Sequence, residues 1–101
     1  MSIREQGVVV QHSPLGHEAP FTVTSGADVP LPGLPPLDRI RRVLIYTTEP
    51  LLWNDAGDSP VVAGMYLPGD AFLVYDATGA GDLLLRAVDL DAQVRISYHG
   101  I

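Results

Sequence analysis

AFLVYDATGAGDLLLRAVDLDAQVRISY, residues 71–98, decides the fold. Three runs within it read as strands: Ala71 to Asp76, Asp82 to Val88 and Gln93 to His99. Ala77–Gly81 and Asp89–Ala92 join them. Side chains along a strand alternate between two faces, so position parity assigns a face to each residue. One face collects Leu73, Tyr75, Leu83, Leu85, Ala87, Val94, Ile96 and Tyr98, apolar throughout, and is the expected core face. The other collects Phe72, Val74, Leu84, Arg86, Val88, Gln93, Arg95 and Ser97. If the three strands form a meander, Arg86 stands opposite Arg95, and like charges directly opposite are destabilising. Either a second sheet or the N-terminal segment covers this half-apolar face, or a partner docks on it. Apolar residues mixed with Arg are what interface cores favour.

Moving upstream, Arg42 to Thr48 (RVLIYTT) reads as a strand rich in β-branched and aromatic residues. Pro50 interrupts, Leu51 to Trp53 is a short strand marked by Pro50 as an edge, and Asn54–Ser59 is a polar turn. Val61 to Met65 reads as a strand kinked at Gly64. Leu67-Pro68-Gly69-Asp70 carries a type II turn signal. Strand starts about ten residues apart favour an all-β fold, a small β-sandwich or a jelly-roll-like barrel.

The first forty residues differ. Gly7 to Gln11 contains a Val run that could be one strand, His12 to Pro20 (HSPLGHEAP) is turn-rich, and Phe21 to Ser25 alternates as a short strand. In VPLPGLPPL, residues 29–37, four of nine residues are Pro: Pro30, Pro32, Pro35 and Pro36. Proline donates no backbone hydrogen bond and fixes φ, so this stretch is extended. It is a linker within the domain or an arm laid along a neighbouring subunit. Asp38 to Arg41 suits one helical turn. The chain divides into N-terminal strands and a Pro-rich arm, 1–37, and a β-sandwich core, 38–101, within one domain.

Length and charge bound the function. A chain of 101 residues supports one modest core. Without Cys it has no disulfide and no thiolate metal site. Met1 to Val10 shows no signal peptide, and no apolar run approaches the ~20 residues that span a bilayer. The net charge is −6 and every fixed cation is Arg, so binding to nucleic acid through phosphates is disfavoured.

The search for chemistry returns little. His12, His17 and Glu18 match no closed metal-ligand set, and no Ser sits in a nucleophile elbow. TGAG, residues 78–81, precedes a strand, where phosphate loops precede a helix. Asp55 and Asp58 flank Gly57 without the further oxygen ligands of a calcium loop. The expectation is no catalytic residue, no cofactor and no metal. Trp53, the single Trp, is a core or rim aromatic, an interface anchor or a sugar-stacking platform.

RRVLIYTTEPLLWNDAGDSPVVAGMYLPGDAFLVYD (41–76), LLLRAV (83–88) and VRISY (94–98) follow an order of their own. An Arg-led apolar strand precedes a short strand with Trp53, a polar turn, the Gly64-Met65 pair, a Leu-Pro-Gly turn and a strand ending in Tyr75-Asp76. In this order the region resembles small virion proteins of tailed bacteriophages: capsid decoration, head-spike or tail-accessory β-sandwiches. The resemblance covers just over half of the chain. It implies a structural protein, made in the bacterial cytoplasm and carried in the virion, that binds an assembled capsid or tail in many copies. The implied partners are capsid or tail subunits and further copies in a homo-oligomer, with neither nucleic acid nor membrane. Expected interface residues are Arg86, Arg95, Phe72, Val74, Leu84, Trp53, Pro30, Pro32, Pro35 and Pro36. The alternative is a carbohydrate-binding β-sandwich module of a receptor-recognition fibre, which would expose Trp53 together with a Tyr.

Overall fold

The structure is a computed structural model that describes residues 13–75 and 78–101. It is built from strands β1 (Ser13–Val23), β2 (Val29–Pro30), β3 (Ile40–Thr47), β4 (Leu51–Asn54), β5 (Met65–Leu67), β6 (Ala71–Tyr75), β7 (Leu84–Ala87) and β8 (Ala92–Gly100). One helical turn, α1 (Pro60–Ala63), and a 3₁₀ segment (Thr78–Asp82) complete it. The strands form two four-stranded sheets, β1-β8-β3-β6 and β2-β7-β4-β5. All pairings are antiparallel. This is the strand order of a jelly roll, in which the chain crosses between two packed sheets. The sheets remain open, so the molecule is an all-β sandwich rather than a closed barrel.

Strict alternation builds the core. Along β8, Ala92, Val94, Ile96 and Tyr98 are buried while Gln93 and Arg95 are exposed. Val43 and Ile45 of β3 join them from the first sheet, and Leu51, Leu85 and Ala87 face them from the second. Val23, Val43, Ile45, Leu51, Leu83, Leu85, Val94 and Tyr98 have no exposed surface. Each large aliphatic side chain buried in this way contributes about 1.5–3 kcal/mol. The expected core face is therefore correct; within it only Leu73 is half-buried.

The expected pairing is not. The last three strands do not form a meander: β6 pairs with β3, β7 with β2 and β4, and β8 with β1 and β3. Tyr75 stands opposite Val43, not Leu83. The 3₁₀ segment carries the chain from one sheet to the other where a hairpin was expected. Parity sets the face of a side chain whichever strand lies beside it, so the core survived a wrong choice of neighbours. Arg86 and Arg95 accordingly lie in different sheets and do not oppose each other.

Other expectations shift for local reasons. The HSPLGHEAP stretch belongs largely to β1, whose register slips between Pro14 and Gly16 and between Glu18 and Phe21. An edge strand with bulges tolerates the prolines that would break a central one. Val61 to Met65 is not a strand. Ser59 caps α1, its hydroxyl accepting from the Val61 amide, and Pro60 occupies the first turn. β4 is interior, and Pro50 marks the corner where the chain leaves the first sheet for the second. In the turn after β5 the left-handed residue is Asp70, φ 56°, not Gly69. Gly69 is closely packed instead: a Cβ there would lie 3.1 Å from both the Pro50 ring and the Thr48 carbonyl, so a larger residue would press on both. The turn expected at Asp38 to Arg41 lies earlier, over residues 36–40: Arg39 N–H donates to Pro36 O at 3.0 Å and Ile40 N–H to Leu37 O at 3.3 Å, and Arg41 is already in β3. The strand expected over residues 7–11 lies outside the described residues.

The Pro-rich stretch is extended and bound to the core. Val29 and Pro30 pair with Leu85 and Leu84. Leu31 is buried, and the Pro32 carbonyl accepts from the Tyr98 hydroxyl. With β1 and β2 both inside the sheets, residues 13–30 belong to the sandwich itself.

Candidate functional site

The first sheet presents an outer face with two cross-strand rows. Arg95 of β8, Tyr46 of β3 and Phe72 of β6 form one; Ser97, Leu44 and Val74 form the next. His17 of β1 extends the second row beside Ser97. Phe72 is 68% exposed and Val74 53%. The Tyr46 and Phe72 rings lie 5.1 Å apart at 49°. Over these rows runs a groove of about 850 Å³ that also meets Glu18, Pro20, Thr48 and Gln93. Its size is that of a binding cleft, and its lining mixes Pro20, Leu44, Phe72 and Ile96 with polar side chains around them.

Electrostatics single out Arg95. Arg86 donates to the Ser25 carbonyl and to Asp28, both at 3.0 Å. Arg39 donates to the Ile101 carbonyl, and Arg41 to the carbonyls of Asp38 and Ile40. Arg95 is exposed and makes no hydrogen bond or ion pair among the described residues. Its charge acts on its neighbour Tyr46. The Tyr46 hydroxyl donates to Asp70, and this bond raises its pKa above the usual phenol value, with burial adding to the rise and Arg95 opposing it. An unengaged guanidinium beside the Tyr46 ring, at the end of the row that Phe72 completes, is suited to a carboxylate in a chain of net charge −6.

A second uncovered surface lies around α1. Val61 is 61% exposed, Val62 84%, Met65 60% and Tyr66 60%. From Pro60 to Pro68 no residue is charged. The segment is nevertheless fixed. Asn54 donates to the Ala63 carbonyl and accepts from the amides of Ala56 and Asp58. Gly64 packs so closely that a Cβ there would come within 2.2 Å of the Pro60 carbonyl oxygen. An ordered apolar projection of this kind marks an interaction site.

The expected interface residues separate into four places. Arg95, Phe72 and Val74 come together on the first sheet. Arg86 and Leu84 lie on the outer face of the second sheet, both half-buried, and the Arg86–Asp28 pair holds the Asp28 carboxyl below its usual range, with Ser59 assisting. Trp53 is half-buried against the core, edge-on to Tyr75 at 6.2 Å. Tyr75 is buried and donates to Asp55 at 2.8 Å, so this pair offers no open stacking platform. Pro30 and Pro36 are exposed, while Pro32 and Pro35 are half-buried. The α1 projection was not anticipated. Its signal was present as Ser59-Pro60, a cap followed by Pro in the first helical position, ahead of an uncharged run.

Among the described residues no three His, Asp or Glu side chains cluster as metal ligands, and no helix is long and apolar enough to cross a membrane. Compared with known protein families, curated proteins and solved structures, the chain matches none.

Proposed function

We propose that this protein is a binding module of a phage virion, which attaches to an assembled capsid or tail in many copies through protein–protein contacts. The observation that carries the reading is the presence of two separate uncovered surfaces on one small sandwich: the Arg95 groove and the α1 projection. An accessory protein that coats a particle needs one contact for the particle and one for its neighbours, and weak contacts then add through avidity. The jelly-roll strand order is one that capsid domains use, although it is shared with lectins and cupins and supports the setting by analogy only. The setting itself comes from the resemblance of residues 41–98 to small virion proteins.

The α1 projection serves the particle. It is apolar, uncharged and fixed before contact, so little ordering entropy is lost on docking. The test is mass spectrometry of density-purified particles from the producing host. The chain is expected there in a fixed copy number, and Val62→Asp is expected to lower its recovery without changing its melting temperature. Particles free of the wild-type chain would end the virion assignment. A second reading is a glycan-binding module, favoured by the Tyr46–Phe72 ring pair in the groove; saturable binding in a glycan titration, lost in Phe72→Ala, would select it.

A further inference from the structure

We infer that the Arg95 groove receives the Val88–Asp91 loop of a second copy, in a reciprocal two-fold dimer. This rests on the reading of the sheet face as a docking surface, not on the virion setting.

The loop between β7 and β8 is Val88-Asp89-Leu90-Asp91. Its apolar members are uncovered: Val88 is 46% exposed and Leu90 62%. Asp89 and Asp91 are exposed and make no hydrogen bond or ion pair among the described residues. The groove holds the complementary set, an unengaged Arg95 among Leu44, Tyr46 and Phe72. One chain therefore carries both halves of an apolar and ionic match, and among the described residues neither Arg95 nor Asp89 nor Asp91 has a bonded partner.

Spacing makes the match reciprocal. Asp91 directly precedes β8 and is exposed like Gln93 and Arg95, and the alternation of the strand carried back one residue sets it in line with their outer row. Four residues of strand separate Asp91 from Arg95 by roughly 13 Å, too far for a pair within the chain. A two-fold axis lying across the strands at Gln93 turns a second copy over the first with its β8 antiparallel. Position 91 of each copy then meets position 95 of the other, and both ion pairs form at once. The same operation sets position 89 of the partner over Ser97 and position 90 over Ile96, along the β8 side of the groove. Such a self-complementary patch is the requirement of an isologous interface. Sheet faces packed in this way stand about 10 Å apart, the depth that interdigitating side chains fill.

The test is sedimentation velocity on the purified full chain over a concentration series. The wild type is expected to dimerise. Arg95→Glu and Asp91→Arg are each expected to weaken the dimer about tenfold or more. Their mixture is expected to recover it as a heterodimer. Asp91 of the first variant then faces Arg95 of the second, and the introduced glutamate faces the introduced arginine. Circular dichroism melts of both variants, expected to match the wild type, separate lost contact from lost fold. A wild type that stays monomeric, a dimer indifferent to both substitutions, or a mixture that fails to recover it would overturn the proposal. A monomer that still copurifies with particles defeats this proposal alone, and a charge-sensitive dimer absent from particles defeats the virion assignment alone.

Discussion

The hydroxyl of Tyr98, a wholly buried residue of β8, donates to the backbone carbonyl of Pro32, 66 residues away in sequence. One phenol thereby fixes the Pro-rich crossing to the central strand of the first sheet. Removing it with Tyr98→Phe leaves the ring volume intact and the bond unmade. A loss of about 1–3 kcal/mol is expected in urea denaturation, together with faster amide exchange in residues 31–37.

Two tyrosines give the fold an alkaline limit. Burial, and then the bond to Asp55, push the Tyr75 hydroxyl up to about 12 from the ordinary 10.0. Burial, and then the charge of Glu18, raise Tyr98 as well. The unfolded chain ionises first as pH rises, so it releases protons while the folded chain still holds them. The stability from these groups is complete below pH 10.0, the unfolded value, and is lost as pH climbs toward the folded values. Urea midpoints measured across that window are expected to fall, and to fall less steeply in Tyr75→Phe and Tyr98→Phe.

Adjacent residues of β7 test the assignment of faces. Leu85 has no exposed surface, whereas Leu84 is half-buried on the outer side. Leu85→Ala is expected to cost about 2–5 kcal/mol, and Leu84→Ala well under half of that. Equal losses in thermal melts would contradict the register of the second sheet.

Arg86 and Arg95 are expected to part company under substitution. Arg86→Glu sets a second carboxylate against Asp28 and abandons the Ser25 carbonyl, so the melting temperature drops and protease cuts near residues 25–28. Arg95→Glu removes no bond within the chain and is expected to change stability by less than about 0.5 kcal/mol. A common loss of stability would mean that Arg95 has an internal role.

Gly64→Ala is expected to lower the melting temperature and to reshape the apolar projection, since the new methyl group would meet the Pro60 carbonyl oxygen. Val62→Ala, at a highly exposed position, is expected to leave the melt unchanged. An unchanged melt in Gly64→Ala would show that α1 has room to shift.

What could be read from the residues was what alternation encodes. Val94, Ile96 and Tyr98 against Gln93 and Arg95 declare the two faces of β8, and every residue assigned inward on the last three strands proved buried or nearly so. Alternation carries no label for the neighbouring strand. The partners of Tyr75 and Leu85 follow from the crossing of the chain between sheets, which depends on how both sheets close over one core. β1 was hidden because Pro14, Gly16 and Pro20 read as turn residues, and only its position at a sheet edge reconciles them with a strand. On the surface, Phe72, Val74 and Arg95 were legible as an outward set. The α1 projection was obscured by Val61-Val62, which suit a strand until the Ser59 cap is weighed against them.

The place of β8 between β1 and β3 has a consequence for biosynthesis. Its two neighbours in the first sheet are made long before it and lack their shared partner until residues 92–100 leave the ribosome. A nascent chain halted at Asp91 holds one sheet without its middle, and its unpaired edges are open to passing chaperones. The first sheet and the Arg95 groove are thus completed together, when residues 92–100 take their place between β1 and β3.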